Sequence, residues 1–153
     1  MERLILDTTV LVATERDRAT LDASFADDDD VAIAAVTAAE LLVGVAFASG
    51  RRRARRAAFV DEVLSTVTIE DYTLATARAH AELLTAVRKS GRPRGAHDLL
   101  IAATAVTTAR TIVSSDARGF EELPGVPVRL VGAGRSPRQA SSARPPNRRS
   151  RFW

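Results

Sequence analysis

The sequence predicts an α/β fold with a mostly parallel central sheet. Short apolar segments of three to five residues alternate with longer segments in which apolar residues recur at helical spacing. This alternation is typical of β-α-β units, whose connecting helices cover a parallel sheet. Acidic residues follow or open several of these segments. In a parallel sheet such positions gather at one edge, where ligands bind.

Each element is predicted from its own local pattern. The predicted strands are residues 3–6, 31–34, 67–69, 111–114 and 127–131. The predicted helices are residues 8–13, 19–26, 37–48, 51–64, 72–90 and 97–109, with a helical turn at 117–122. Leu41, Leu42, Val45 and Ala46 illustrate the helical spacing. Gly50 is expected to end that helix, and the acidic run at 27–30 is typical of a solvated loop.

Composition excludes several functional classes. A chain of 153 residues without cysteine is long enough for one domain, and has no disulfides, zinc–thiolate sites or thiol nucleophiles. The glycine-rich loops of P-loop nucleotidases and dinucleotide-binding proteins are also absent. No apolar run is long enough to span a membrane, and Met1 leads almost directly into a strand without a signal peptide. A cytoplasmic protein is therefore expected.

The charge of the chain is unevenly distributed. The net charge is +3, from 22 basic and 19 acidic residues. Residues 134–153 contain six arginines and no acid, so the remaining body carries 16 basic and 19 acidic residues, a charge of −3. We expect one globular domain at residues 1–131 and a basic, disordered tail at 132–153.

Four carboxylates are the candidate functional residues. Asp7 follows the first strand, Asp116 follows the strand at 111–114, and Glu40 and Asp98 lie near helix starts. Four acids at one edge would repel one another, and a hard cation such as Mg²⁺, which prefers oxygen ligands, would relieve that repulsion. With so few histidines and no cysteine, Mg²⁺ or Mn²⁺ suits this set better than zinc.

Each acid also has a purely structural interpretation. Thr37 and Glu40 have the spacing of a capping box. Asp98 in a first helical turn interacts favourably with the helix dipole, and Asp7 and Asp116 suit N-cap positions. The functional interpretation rests on all four acids together.

The sequence around the four acids resembles PIN-domain ribonucleases, and in particular VapC toxins of type II toxin–antitoxin pairs. The four matching segments are residues 6–13 (LDTTVLVA), 37–45 (TAAELLVGV), 91–103 (GRPRGAHDLLIAA) and 113–126, which holds VSSD, Phe120 and LPGV. The resemblance covers about residues 2–131. Ser114 departs from the usual threonine of the family but keeps the hydroxyl group.

The resemblance implies a PIN-like three-layer α/β/α sandwich and a Mg²⁺-dependent endoribonuclease that leaves 3′-hydroxyl and 5′-phosphate ends. It also implies a cognate VapB-type antitoxin and a homodimer. The implied site consists of Asp7, Asp98 and Asp116 as metal ligands, Glu40 for the nucleophilic water, and Thr8 and Ser114 as hydrogen-bond donors to the carboxylates.

Basic residues and histidines add candidate contacts. Arg51, Arg52, Arg53, Arg55 and Arg56 open one helix, where cations are unfavourable near the positive dipole end. We expect Arg52, Arg53, Arg55 and Arg56 to contact RNA, with the alternative of a solvated helix start. His97 precedes Asp98 and borders the candidate site, whereas His80 lies mid-helix without an evident acid–base partner.

Three other classes of protein compete with a nuclease. A haloacid-dehalogenase-type phosphatase would need a second aspartate two residues after Asp7, where Thr9 stands. A receiver-type signalling domain would need a lysine opposite the acids, and the single lysine, Lys89, lies at a helix end. The third class is a non-catalytic PIN-like module that binds RNA or protein. All four acids are intact, which argues against it.

Overall fold

The computed structural model describes residues 1–16 and 25–131. Its strands are β1 Arg3–Leu6, β2 Asp30–Ala34, β3 Thr68–Glu70, β4 Thr111–Ser114 and β5 Val128–Leu130. Its helices are α1 Thr8–Arg16, α2 Ala35–Ala46, α3 Gly50–Thr66, α4 Leu74–Ser90 and α5 Ala96–Thr108, with a 3-10 turn at Ala117–Gly119.

The five strands form one sheet in the order β3-β2-β1-β4-β5, and every neighbouring pair is parallel. Leu6 at the end of β1 is in register with Ile33 of β2 and Val113 of β4. The carboxyl ends of the three central strands therefore lie at the same edge. This arrangement puts the residues that follow β1 and β4 next to each other.

Successive residues of the strands face opposite sides of the sheet, and each side is covered by helices. Leu4 and Leu6 pack with apolar residues of α1, α2 and α3. Ile5, on the other face, packs with residues of α4 and α5. The apolar strand runs are thus explained by burial on both faces, as is typical of parallel sheets. The predicted three-layer α/β/α sandwich is confirmed.

The observed elements match the predicted ones closely, with one correction. Gly50 does not end the second described helix; it has φ of +56° and opens α3, after Phe47 caps α2. The prediction was wrong because a glycine with positive φ suits a chain reversal on either side of a turn. The predicted helix at 19–26 and the tail at 132–153 lie mainly or wholly outside the described residues. No helix within the described ranges is long and apolar enough to cross a membrane.

Candidate active site

The sheet order explains how the four acids come together. Asp7 follows β1 and Asp116 follows β4, and these strands are neighbours. Asp98 lies in the first turn of α5, and Glu40 lies in α2, which begins directly after β2. The four acids therefore come from four segments that start or end at the carboxyl edge of the sheet.

Asp7 is buried and is held by two hydroxyl groups. Only 5% of the Asp7 surface is exposed to solvent. The Oδ2 atom accepts hydrogen bonds from Thr9 Oγ1 at 2.7 Å and from Ser114 Oγ at 2.8 Å. Ser114 is fully buried and also receives the backbone N–H of Asp116 at 3.0 Å. Ser114 thus links the segments that carry two of the acids.

Glu40 is held from both sides. One carboxylate oxygen accepts a short hydrogen bond from the Thr8 hydroxyl, and the other lies 2.5 Å from His97 Nδ1. The capping-box interpretation of Thr37 and Glu40 is wrong, because the N-cap of α2 is Ala34 and Thr37 is already inside the helix. The buried Thr37 hydroxyl makes no hydrogen bond with any described residue.

The carboxyl group of Asp98 is influenced by the charges of the other three acids. Burial is the main cause that raises the pKa of its carboxyl group. The negative charges of Asp7, Glu40 and Asp116 raise that pKa further, and His97 opposes them. The electrostatic influence of all three other acids on Asp98 identifies the four as one cluster.

Two glycines leave room for the Asp98 carboxylate. A Cβ atom on Gly95 would lie 2.6 Å from Asp98 Oδ2, and one on Gly119 would lie 2.5 Å from the same atom. Any larger residue at either position would meet the carboxylate. Glycine at these positions is therefore explained by the place of Asp98, and not by backbone conformation, since neither residue has positive φ.

Asp116 is paired with an arginine from its own turn. The Arg118 guanidinium contacts both carboxylate oxygens, with its closest nitrogen 2.5 Å from Oδ2. The backbone N–H of Arg118 also donates to Oδ1. These bonds, the side-chain one first, lower the pKa of Asp116 to about 2. Arg118 is largely exposed, so the pair is free to open when another cation binds the carboxylate.

The carboxylates form a charge cluster without being arranged as a metal cage. Within residues 1–16 and 25–131, no three acidic or histidine side chains are oriented to hold a metal ion. Charges act over several ångströms, whereas a Mg²⁺–oxygen bond is about 2 Å long, so both findings hold together. The carboxylate oxygens of the cluster fit a hard divalent cation once Arg118 releases Asp116.

Some residues of this site were not foreseen from the sequence. The sequence pattern indicates no role for Thr9 beyond the absence of a phosphatase aspartate, yet its hydroxyl donates to Asp7. Gly119 and Arg118 lie between Asp116 and Phe120 in a segment whose local pattern predicts only a turn. Their roles depend on contacts with other segments, and the one signal in the sequence is that Gly119 lies within the fourth matching segment, 113–126.

The remaining predicted residues have different surroundings. Arg56 is bound to Glu15 through two contacts of 3.0 and 3.2 Å, and both side chains are mostly buried. Arg52, Arg53 and Arg55 are exposed. The other histidine, His80, bonds to the Tyr72 hydroxyl at 3.0 Å on α4 and takes no part in the acidic cluster.

Comparison with known proteins agrees with the geometry. The family model of the PIN domain matches residues 4–126. Ribonuclease VapC of Rickettsia bellii is 30% identical over 129 residues, which cover 84% of this chain and 96% of that protein. The crystal structure of VapBC-5, a toxin–antitoxin system of Mycobacterium tuberculosis, matches with a TM-score of 0.67 and 33% identity, covering 86% of this chain and 98% of that one.

A further structure shows the same fold. VapBC2 from Rickettsia felis, crystallised with a DNA fragment from its promoter, matches with a TM-score of 0.76 at 24% identity, covering 85% of this chain and 99% of that one. The sequence match, the shared fold and the four clustered acids agree. The chain belongs to the PIN-domain family, among its VapC ribonucleases.

Proposed function

We propose that this chain is the toxin of a type II toxin–antitoxin pair, a Mg²⁺-dependent endoribonuclease that hydrolyses RNA phosphodiester bonds to 3′-hydroxyl and 5′-phosphate ends. The observation that carries the proposal is the cluster of four acids around Asp98, in a chain that is related to VapC ribonucleases. PIN-domain nucleases in general depend on a divalent metal ion. Mg²⁺ is the proposed ion because the three proposed ligands all supply carboxylate oxygens, and Mn²⁺ would fit the same ligands.

Asp7, Asp98 and Asp116 are the proposed metal ligands. When bound, the ion lowers the pKa of a coordinated water and stabilises negative charge on the attacked phosphate. The hydroxyls of Thr9 and Ser114 fix the direction of the Asp7 carboxylate. Release of Arg118 from Asp116 frees that guanidinium for the phosphate of the substrate, since arginine matches phosphate and carboxylate equally well.

Glu40 is the residue proposed to orient the nucleophilic water and accept its proton. The Thr8 hydroxyl fixes one of its oxygens, which leaves the other, now bonded to His97, for exchange with a water molecule. A base must lie within hydrogen-bond reach of the proton that it takes. Because both partners come from other segments, the direction of the Glu40 carboxylate is set by the tertiary structure.

A cognate VapB-type antitoxin is the proposed partner, since the matched solved structures are VapBC systems. The surface of α2 supports a docking site along α2 and α3, because Leu42, Val43 and Phe47 are 51%, 53% and 89% exposed. A basic antitoxin side chain would replace the metal's charge among the acids. Cleavage that persists in excess antitoxin would contradict this proposal.

A homodimer in the cytoplasm completes the proposal. The assembly is inferred from the family, and the compartment from the RNA substrate. Light scattering at micromolar concentration should show a dimer, and a monomer alone would count against it.

The replacement of Asp7 by asparagine tests the nuclease proposal. Asp7→Asn keeps the size of the side chain but removes the charge of a proposed metal ligand. Loss of a residue that is hydrogen-bonded to a metal ligand typically lowers activity ~10–100-fold, and Mg²⁺-dependent RNA cleavage by Asp7→Asn should fall by more than that. Circular dichroism should show an intact fold. Asp61→Asn, which neutralises an exposed carboxylate on α3, is the matched control and should cut normally.

The same experiment separates the nuclease from its alternative. A non-catalytic PIN-like module would bind RNA without Mg²⁺-dependent cleavage in the wild-type protein. Cleavage by Asp7→Asn at the wild-type rate would show that the site assignment is wrong.

A further inference from the structure

The arginine run that opens α3 is divided by its contacts. Arg56 pairs with Glu15 of α1, and its guanidinium also reaches the carbonyl oxygen of Gly44 at 3.4 Å. Only 19% of the Arg56 side chain and 11% of the Glu15 side chain are exposed. Arg56 therefore joins α1, α2 and α3, and its charge is already neutralised. It is not available to a polyanion, contrary to what the sequence alone suggests.

A surface cavity of about 490 Å³ lies beside this ion pair, between the end of α1 and the start of α3. The described residues that line it are Glu15, Arg16, Arg52, Arg55 and Arg56. Arg52 and Arg55 are one helical turn apart, so they face the same side of α3. Arg51 and Arg53 do not line the cavity, although they belong to the same run.

The cavity carries a strong excess of positive charge. Among the described lining residues, Glu15 and Arg56 cancel, which leaves Arg16, Arg52 and Arg55 with three positive charges. All three are exposed, and none pairs with a carboxylate among residues 1–16 and 25–131. Arg52 and Arg55 also lie in the first turns of α3, where the helix dipole disfavours cations. An anion in the cavity would relieve this concentrated charge.

The position of the cavity relates it to the acidic cluster. Glu15, at the cavity, is seven residues along α1 from Thr8, which donates to Glu40. At a rise of 1.5 Å per residue this is about 10 Å, or two helical turns. A single RNA strand that places one phosphate at the acids would therefore reach the cavity with a phosphate further along its backbone.

We propose that Arg16, Arg52 and Arg55 form a binding site for a backbone phosphate of the RNA strand that enters the acidic cluster. This inference rests on the proposed nuclease function and adds a substrate contact to it. Arginine is suited to phosphate because its planar group donates two parallel hydrogen bonds. A protein partner fits less well, because every described lining residue is charged and none of them offers an apolar contact for an anchoring side chain.

Two double variants test the site with an equal change of charge. Arg52→Gln with Arg55→Gln removes two positively charged side chains from the cavity lining. Arg51→Gln with Arg53→Gln removes two positively charged side chains from the rest of the same run. Binding of a short fluorescent single-stranded RNA is measured by anisotropy in EDTA, where metal-dependent cleavage cannot occur. The assay therefore gives an answer even if the proposed nuclease function fails. Circular dichroism and thermal unfolding confirm that all variants are folded.

The salt dependence distinguishes phosphate contact from overall charge. Each phosphate contact on a single strand contributes about −0.7 to the slope of log K against log salt. Because the proposed site holds one phosphate, the cavity variant should lose about 0.7 units of slope and bind more weakly, and Arg52→Lys with Arg55→Lys should restore the slope. The Arg51/Arg53 variant should lose less than half as much slope as the cavity variant loses.

Two results would overturn the proposal. Equal losses in the two double variants would show that RNA senses only the overall charge of α3. Unchanged RNA binding by the cavity variant, together with lost inhibition by the cognate antitoxin, would assign the cavity to an acidic protein segment instead.

Discussion

Asp98 and Asp116 have opposite electrostatic environments although both belong to the acidic cluster. Burial and three negative neighbours raise the pKa of Asp98, while Arg118 holds that of Asp116 at about 2. The difference follows from their positions, because Asp98 lies between Gly95 and Gly119 and Asp116 lies in an exposed turn. A cation that binds the cluster would thus gain most from the charge of Asp98.

Neutralisation of Asp98 should stabilise the metal-free protein. A carboxyl group whose pKa is raised by folding disfavours the fold as pH rises from the unfolded pKa, about 3.9, through the folded pKa. Asp98→Asn should therefore unfold at a higher temperature than wild type at pH 7 in EDTA. The difference should vanish well below the unfolded pKa of about 3.9, where the wild-type carboxyl is protonated in both states.

Thermal unfolding at both pH values measures this effect, with Asp61→Asn as the control for an exposed acid. Added Mg²⁺ should raise the melting temperature of wild type and leave that of Asp98→Asn nearly unchanged. A lower melting temperature for Asp98→Asn at pH 7 would contradict the assigned repulsion.

Gly119 should be required for activity more than for stability. In Gly119→Ala the new Cβ would lie 2.5 Å from Asp98 Oδ2, so the carboxylate must turn away. RNA cleavage should fall about 10–100-fold, which is the usual effect of losing a residue that orients a metal ligand. Gly44→Ala, whose Cβ would meet only Arg56 atoms at 3.7 Å or more, is the control and should cut normally. Full cleavage by Gly119→Ala would show that Asp98 tolerates displacement.

At the level of elements, Arg110 connects three strands from the residue before β4. It is 3% exposed, and its guanidinium contacts Glu70 of β3 at 2.8 Å and the carboxylate of Asp30 in β2 at 3.1 Å. It also reaches the carbonyl oxygens of Asp30 and of Leu4 in β1. Sequence patterns did not single out Arg110, because its role depends on the sheet order.

Removal of the Arg110 charge should destabilise the fold strongly. Arg110→Met keeps much of the volume but leaves the Glu70 carboxylate and two carbonyl oxygens without the Arg110 donor, at a cost of about 3 kcal/mol. Asp30 keeps its contact with Arg3 at 3.3 Å. This value is at the low end for buried pairs because Asp30 and Glu70 reach solvent. Urea unfolding measures the loss.

Arg92→Met is the matched control for this prediction. Arg92 pairs with Glu122 on the surface, where both side chains are more than 60% exposed, so its loss should cost much less stability than the loss of Arg110. Equal effects of the two variants would contradict the structural role of Arg110. The Arg110 hydrogen bond is also the largest cause that lowers the pKa of Asp30, so the stabilisation by Asp30 should be lost as pH falls through that lowered pKa.

At the level of the whole molecule, charge is separated between the body and the tail. Residues 1–133 carry −3 and residues 134–153 carry +6, which together give the net charge of +3. An acidic body must still admit an RNA strand to a cluster of four acids. A local basic surface near that cluster meets this need better than a distant one, since exposed charges are screened beyond about 10 Å.

Truncation after Gly134 should therefore weaken RNA binding less than the Arg52/Arg55 double variant does. Arginines fixed on a helix lose less conformational entropy on binding than those of a tail that is predicted to be disordered. Anisotropy across a salt series compares the two proteins, and cleavage should continue in the truncated one. If truncation abolishes cleavage while the helix variant keeps it, the tail is the main RNA-binding segment.

Most of the fold and the clustering of the four acids were predictable from the sequence. Residues 3–6 and 111–114 read as strands because they are short apolar runs, and α4 and α5 read as helices because their apolar residues recur at helical spacing. These patterns are local and reflect burial on one or two faces. The resemblance of residues 6–13 and 91–103 to the PIN-domain family is confirmed by the family match.

Only the tertiary structure decided what each charged side chain contacts. The order β3-β2-β1-β4-β5 places Asp7 beside Ser114, and the packing of α1 on α2 and α3 turns Arg56 into a buried partner of Glu15. Such pairs join residues 41 or 107 positions apart, so no local pattern contains them. Local periodicity determines which face of an element is buried, whereas the partner of a buried charge depends on which elements meet.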